Sequence, residues 1–207
     1  MSNKKNDMAK KERIANYENQ REVFLGQGYI EEQCIITVIR INFQALLYAI
    51  PWIVIMFSLS VAFNGEMEFE ISGLPFLFLL IAMILSIPIH EFLHGLGWYL
   101  SCKNGWKSIV YGIMWKLLTP YCHCKEPLSW RKYIVGGLLP FMVLGTGISV
   151  LGIILNSGIL LLLGAYNIIA AGGDLVIGAK TLKYRDGILL DHPSECGFIA
   201  FRDDNRR

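Results

Sequence analysis

Four long stretches of this chain are almost empty of charge. Phe43 to Phe63, Leu74 to Leu100, Tyr133 to Leu155 and Gly158 to Ala179 contain no Lys or Arg, and Glu91 and Asp174 are their only carboxylates. Runs of this length and apolarity do not suit the surface of a soluble domain. Each matches the roughly 20 residues that cross the hydrocarbon core of a bilayer. Together with 54 % hydrophobic residues and a mean hydropathy of +0.44, they predict an all-α integral membrane protein of about four transmembrane helices.

Other absences narrow the function. Met1 to Gln33 holds no apolar run after its first basic residues, so it is not a signal peptide, and the first span is expected to act as its own insertion signal. No C-x-x-C pair occurs among the five cysteines, so the paired C-x-x-C pattern of zinc ribbons is not matched. Internal repeats are absent, which disfavours a transporter built from paired repeats. Basic and aromatic residues are not interleaved, so nucleic acid is not an expected partner.

Charge is sorted by side. Seven Lys or Arg precede the first span, six lie between Leu100 and Tyr133, and six run from Lys180 to the end; the two other connections have none. One of those carries Glu66, Glu68 and Glu70, and the other is a tight turn at Asn156 and Ser157. By the positive-inside rule the expected topology is a multi-pass protein of the cell membrane with both termini in the cytoplasm. The expected organisation is a cytoplasmic segment 1–42, a membrane domain 43–180 with a cytoplasmic loop 101–132, and a cytoplasmic tail 181–207. Cys34, Cys102, Cys122, Cys124 and Cys196 then all fall on the reducing side, and no disulfide framework is implied. Short β-like runs at Ile35 to Asn42, Ser108 to Met114 and Gly197 to Phe201 suggest a small membrane-proximal sheet on that side, with irregular loops as the alternative. Pro88, inside the second span, is expected to kink it by freeing the carbonyl of Ile84.

What the second span does contain is His90-Glu91-Phe92-Leu93-His94, an HExxH sequence. Shuffling this composition yields such a motif in only about 0.4 % of chains. On a helix the spacing of four puts both imidazoles on one face, where they can share Zn²⁺, and leaves Glu91 about 100° round, within reach of a water. Ionisable groups in hydrocarbon cost about 2.5 to 3.5 kcal/mol each on insertion scales and are seldom kept without a role. His90 and His94 are therefore candidate zinc ligands, and Glu91 the candidate catalytic base. Two histidines bonded to neighbouring helices are the plainer alternative.

A catalytic zinc needs a third protein ligand. The predicted topology runs the second and fourth spans parallel, and it places both His90 and Asp174 about 24 Å below the outer edge of the core. Small neighbours, Ala170 to Gly173 and Gly178, allow the close helix approach that a short aspartate requires. Asp174 is thus the favoured third ligand, with helix capping at Gly172-Gly173 as the alternative. Asn167 is on roughly the same face, as an outer hydrogen-bonding partner or an interhelical one. Outside the spans His123 and His192 are rival ligands. Cys122-His123-Cys124 with Cys102 could seed a second, structural zinc, against the default of an unreactive cysteine pair in a hairpin.

An HExxH in a membrane helix, followed by a cytoplasmic segment and an aspartate in a later parallel helix, resembles the site-2-protease class of intramembrane metalloproteases. A family of small bacterial membrane proteins described as zincin peptidases is a nearer resemblance. It rests on His90 to Gly95, the Thr119 to Leu128 segment TPYCHCKEPL, Leu139-Pro140 and Gly172-Gly173-Asp174, and it covers most of the chain after about Arg40. The resemblance implies His90, His94 and Asp174 as ligands and Glu91 as base. It departs from site-2 proteases in the glycines before the aspartate and in having no PDZ-like domain.

The expected function is a membrane-embedded zinc metallopeptidase cutting peptide bonds in or near the membrane. Its partners would be the lipid bilayer and a membrane-protein or peptide substrate; the sequence leaves the oligomeric state open. A substrate helix would have to unwind, since its carbonyls are internally bonded, and the predicted strand near Ser108 to Met114 offers β-addition to hold it. The alternatives are a zinc hydrolase of a non-peptide bond and a non-catalytic membrane protein stabilised by its metal.

Overall fold

A computed structural model describes residues 2–65, 69, 72–114 and 119–203. The acidic connection residues Glu66, Glu68 and Glu70 lie outside the described residues. Helix dominates: α1 (Ser2–Gly26), α2 (Val38–Asn64), α3 (Gly73–Tyr99), α4 (Trp130–Pro140), α5 (Ile148–Ile154), α6 (Gly158–Ala170) and α7 (Gly172–Thr181). The strands are β1 (Tyr29–Ile35), β2 (Ile109–Met114), β3 (Thr119–Cys124), β4 (Leu128–Ser129), β5 (Ile188–Asp191) and β6 (Gly197–Asp203).

Three helices are long and apolar enough to cross a membrane: α2, α3 and the continuous Trp130–Ile154. The last includes a π-helical turn, Phe141–Gly147, between α4 and α5. The fourth expected span, Gly158 to Ala179, is not one straight helix. It breaks at Ala171 into α6 and α7, bent by 47°. Gly172 explains the bend. A Cβ there would lie 2.6 Å from the backbone oxygen of Ala45, so the missing side chain lets α7 turn against α2. Pro88, by contrast, leaves α3 uninterrupted from Gly73 to Tyr99.

Among the described residues every strand lies before α2, between α3 and α4, or after α7, the segments that hold most of the basic residues, with Arg40, Arg131, Lys132 and Lys180 in the adjoining turns of α2, α4 and α7. They form two sheets, one ordered β1-β6-β5-β4 and the other the hairpin β2-β3. Two of the three expected strands correspond to β2 and β6, which lie in different sheets. The third does not: β1 ends at Ile35, and Val38 onward is helix. The β-branched residues of Val38 to Ile41 mimic a strand, but the apolar run continuing to Phe63 makes helix the economical way to satisfy the backbone in hydrocarbon.

β1 pairs with β6, so the segment before the spans and the tail after them form one layer. Glu32 reinforces the seam by accepting hydrogen bonds from Lys183 Nζ (2.9 Å), Arg202 Nη1 (3.3 Å) and the Tyr184 hydroxyl (3.2 Å). α1 lies over this layer. Phe24 stacks on Phe201 at 4.5 Å between ring centres, and Arg13 donates to both the Pro193 carbonyl (2.9 Å) and the Tyr121 hydroxyl (2.8 Å) on β3.

Candidate metal centre

The site is built where α3, α4 and α7 meet. Gly97 on α3 faces Gly136 on α4 so closely that a Cβ on Gly97 would lie 2.6 Å from the Gly136 Cα. Two glycines at one crossing let the backbones approach. That approach brings the Gly136 carbonyl to the His94 ring, whose Nδ1 lies 2.9 Å from it. Pro140 supplies the reason this carbonyl is free. It sits four residues later and has no N–H to complete the helical bond to Gly136. With Nδ1–H donating to Gly136, the His94 Nε2 carries a lone pair and points away from α4, the arrangement a metal-ligating histidine needs. Trp98 stacks on the same ring at 5.4 Å and 14° and anchors itself by donating Nε1–H to the Tyr133 carbonyl at 2.9 Å.

Asp174 enters from the first turn of α7, after Gly172 and Gly173. The N-cap position is Ala171, so Asp174 is not the capping residue of its helix. The helix N-terminus still favours its negative charge. Its Oδ2 is 3.2 Å from His90 Nε2 and its Oδ1 is 3.4 Å from His94 Nε2. The two histidine Nε2 atoms are 3.2 Å apart. Three donor atoms therefore converge, and among the described residues this is the group of His, Cys, Asp and Glu that could hold a metal ion.

The donor set fits zinc. Ligand bonds of about 2.0 to 2.1 Å in a tetrahedron place neighbouring ligand atoms about 3.3 Å apart, matching the three separations. Protons cannot serve as well, since two Nε2–H groups facing one another would repel. Asp174 Oδ2, one of the converging atoms, is buried without a hydrogen-bond partner, the condition of an atom that an ion would satisfy.

Glu91 is turned to the hairpin side. β3 packs against the helix that carries Glu91, and Cys122 is a position on β3 whose N–H points away from β2. Tyr111, paired with Cys122 across the hairpin, lays its hydroxyl against Gly95, where any Cβ would collide with it. Gly95 thus admits the hairpin onto the HExxH helix.

The rival ligands are elsewhere. His123 is buried, and desolvation, followed by Arg13 and Lys125, pushes it down to about 3, so it is neutral. Its Nδ1 is 3.9 Å from Asp191 Oδ2, too far for a hydrogen bond, so burial prevails over that carboxylate. Asp191 is itself raised by burial to about 6 and accepts from the Tyr133 hydroxyl (2.6 Å) and the Cys124 N–H (2.8 Å). His192 accepts the Ser194 and Glu195 N–H groups in a tail turn. Asn167 bonds neither the cluster nor another helix; its Nδ2 donates to the Leu163 carbonyl of its own helix at 2.9 Å.

Sequence reasoning missed Gly136, Pro140, Trp98 and Tyr111. The Leu139-Pro140 pair was a usable signal: a proline in a membrane helix frees the carbonyl four residues before it, and Gly136 is that residue.

Two outcomes follow for metal content in detergent-purified protein. Replacing His90 or His94 by Ala removes one bound zinc per chain and Asp174→Ala reduces it, whereas His123→Ala and His192→Ala retain it; zinc lost from either of the latter, with Asp174→Ala unaffected, would overturn the cluster as the zinc site. Pro140→Ala restores an N–H that competes for the Gly136 carbonyl, and zinc affinity measured by chelator competition should fall about 10- to 100-fold, the range for loss of an outer-shell partner. An unchanged affinity would refute the role of the freed carbonyl.

No curated protein and no solved structure matches the chain. A family model does: residues 83–189, more than half of the chain, match proteins described as "putative zincin peptidase". That region includes His90, Glu91, His94, the hairpin, Pro140 and Asp174, and the chain belongs to this family.

Proposed function

We propose that the protein is a membrane-embedded zinc metallopeptidase that hydrolyses peptide bonds in or near the membrane. The observation that carries this reading is the convergence of His90 Nε2, His94 Nε2 and an Asp174 carboxylate within bonding range of one ion, one residue along from Glu91. Family membership points the same way.

His90, His94 and Asp174 would hold the zinc, which would supply Lewis-acid polarisation and a lowered water pKa. Glu91 would serve as the base for the attacking water and return the proton to the leaving amine. His94 is held in one tautomer by Gly136 and in one plane by Trp98, so it does not reorganise during the reaction. An extended substrate would add to the β2 edge of the hairpin, with main-chain hydrogen bonds replacing those its own helix gives up. The β3 edge suits this less, since Pro120 has no N–H and the Cys124 N–H is held by Asp191.

The test is Glu91→Gln. It leaves the three ligands in place, so zinc content and thermal unfolding in detergent should match the parent. Cleavage should fall about 10² to 10⁴-fold, the usual contribution of a general base, and uncleaved membrane proteins should accumulate in cells carrying the variant. If Glu91→Gln restores a deletion phenotype in full while His90→Ala does not, the metal is structural and the reading fails.

The orientation we propose puts both termini, both sheets and the metal centre toward the cytoplasm, supported by the basic residues clustered at the strand-bearing end. In intact cells Cys102, Cys122 and Cys196 should resist an impermeant thiol reagent, while Glu68→Cys is labelled. Labelling of native Cys196 from outside would invert the orientation.

A further inference from the structure

We propose that Cys102 and Cys124 form an oxidative modification site, a reversible disulfide that ties the β2-β3 hairpin to the end of the HExxH helix. Their sulfurs are 3.4 Å apart. Cys102 lies three residues beyond the end of α3 at Tyr99, and Cys124 is the last residue of β3. A disulfide needs about 2.05 Å between sulfurs, a closure of little more than 1 Å that two Cα–Cβ rotations can provide.

The surroundings hold the pair in register. The Glu126 carboxylate accepts the backbone N–H groups of Lys103 (2.7 Å) and Asn104 (2.9 Å) and the Ser108 hydroxyl (2.5 Å), so the loop that carries Cys102 is fastened to the residues just after Cys124. The Lys125 N–H donates to the Ser108 carbonyl at 2.8 Å, and Asp191 holds the Cys124 N–H from the other side. Neither sulfur has far to move, and neither can easily move away.

Their accessibility differs in the way the chemistry requires. Cys102 is half-buried and within reach of a small oxidant, whereas Cys124 is 1 % exposed and shielded from one. The hydrogen bond from Cys124 draws the Cys102 thiol below its usual range, while that same bond, with burial, raises Cys124. With hydrogen peroxide as the oxidant, the Cys102 thiolate attacks one peroxide oxygen, the O–O bond breaks, and hydroxide leaves as water once protonated, giving a sulfenic acid. The Cys124 sulfur then displaces the hydroxyl from Cys102, which departs as water with the Cys124 proton. Two thiols lose two electrons and one peroxide gains them. Cytoplasmic disulfides of this transient kind are typically redox-sensing ones.

The consequence for the site rests on reading Glu91 as the base. β3 also carries Cys122, whose cross-strand partner Tyr111 lays its hydroxyl against Gly95 of the HExxH helix, so a bond two residues along fixes the hairpin against the helix that carries the base.

The test uses the full-length protein in detergent, treated with hydrogen peroxide, alkylated and digested without reductant. The expected product is one linked species joining the Cys102 and Cys124 peptides, two hydrogens lighter than the pair and reversed by a thiol reductant, with the five free thiols reduced by two. Cys102→Ser should leave Cys124 reduced, and Cys124→Ala should drive Cys102 to a sulfinic acid; should Cys124→Ala not fold, Cys102→Ser and the wild-type linkage decide alone. Sulfinic Cys102 beside free Cys124 in the wild type would overturn the proposal. So would a pair that reacts only after a chelator has removed a metal lost in Cys102→Ser, the mark of a thiolate metal site. The linkage is read by mass and needs no peptidase assay, so its failure and that of the peptidase reading are distinguishable.

Discussion

The geometry of the site depends on one hydrogen bond, from His94 Nδ1–H to the carbonyl of Gly136. In hydrocarbon a helix normally has no carbonyl to spare, because each is bonded to the N–H four residues on. Pro140 breaks that closure at one point, and the glycines at 97 and 136 remove the side chains that would keep α3 away from it. The exchange is close to neutral in hydrogen-bond number, one lost inside α4 and one gained between α4 and α3. What changes is direction. His94 is left with its lone pair facing His90 and Asp174.

The break between α6 and α7 is the counterpart on the opposite wall. A straight fourth span would carry Asp174 in mid-helix, with its side chain constrained to lean back along the axis. The bend at Ala171 instead starts a new helix three residues before it, so the carboxylate lies in a first turn whose unpaired N–H groups favour its charge. Gly172 makes the bend possible by packing directly on the Ala45 backbone. Both walls of the cluster thus depend on defects in apolar helices, one from a missing N–H and one from a missing Cβ.

This explains what was legible in the sequence. His90, Glu91 and His94 follow from helical period alone, and Asp174 from its depth in a parallel span, because both arguments use only rise per residue and the sorting of charge. The length of α3 and the positions of β2 and β6 are similarly local. The defects were harder to rank. Pro88 and Pro140 look alike in a hydropathy trace, yet Pro88 leaves α3 continuous, and only Pro140 has a glycine four residues earlier facing a histidine on the next helix. Val38 to Ile41 misled for the opposite reason, since its strand-like side chains were outweighed by the apolar run that follows. Asn167 was plausible as an outer ligand partner until its amide proved to bond back along its own helix. The role of the hairpin was not recoverable, since it requires knowing that Gly95 and Tyr111 touch.

Charge balance closes the argument for a dication at this point. Glu91 and Asp174 bring two negative charges into the least polar part of the chain, where an uncompensated carboxylate costs several kcal/mol even after relaxation. Lys and Arg are absent from the four apolar stretches that supply the cluster. Imidazolium protons would offset the charge only by setting two Nε2–H groups against each other at 3.2 Å. A single ion with two positive charges, held by both histidines and by Asp174 and adjacent to Glu91, would balance both carboxylates and turn the mutual approach of the three donor atoms from repulsion into coordination. One electrostatic condition would then serve both the proposed metal and the proposed base.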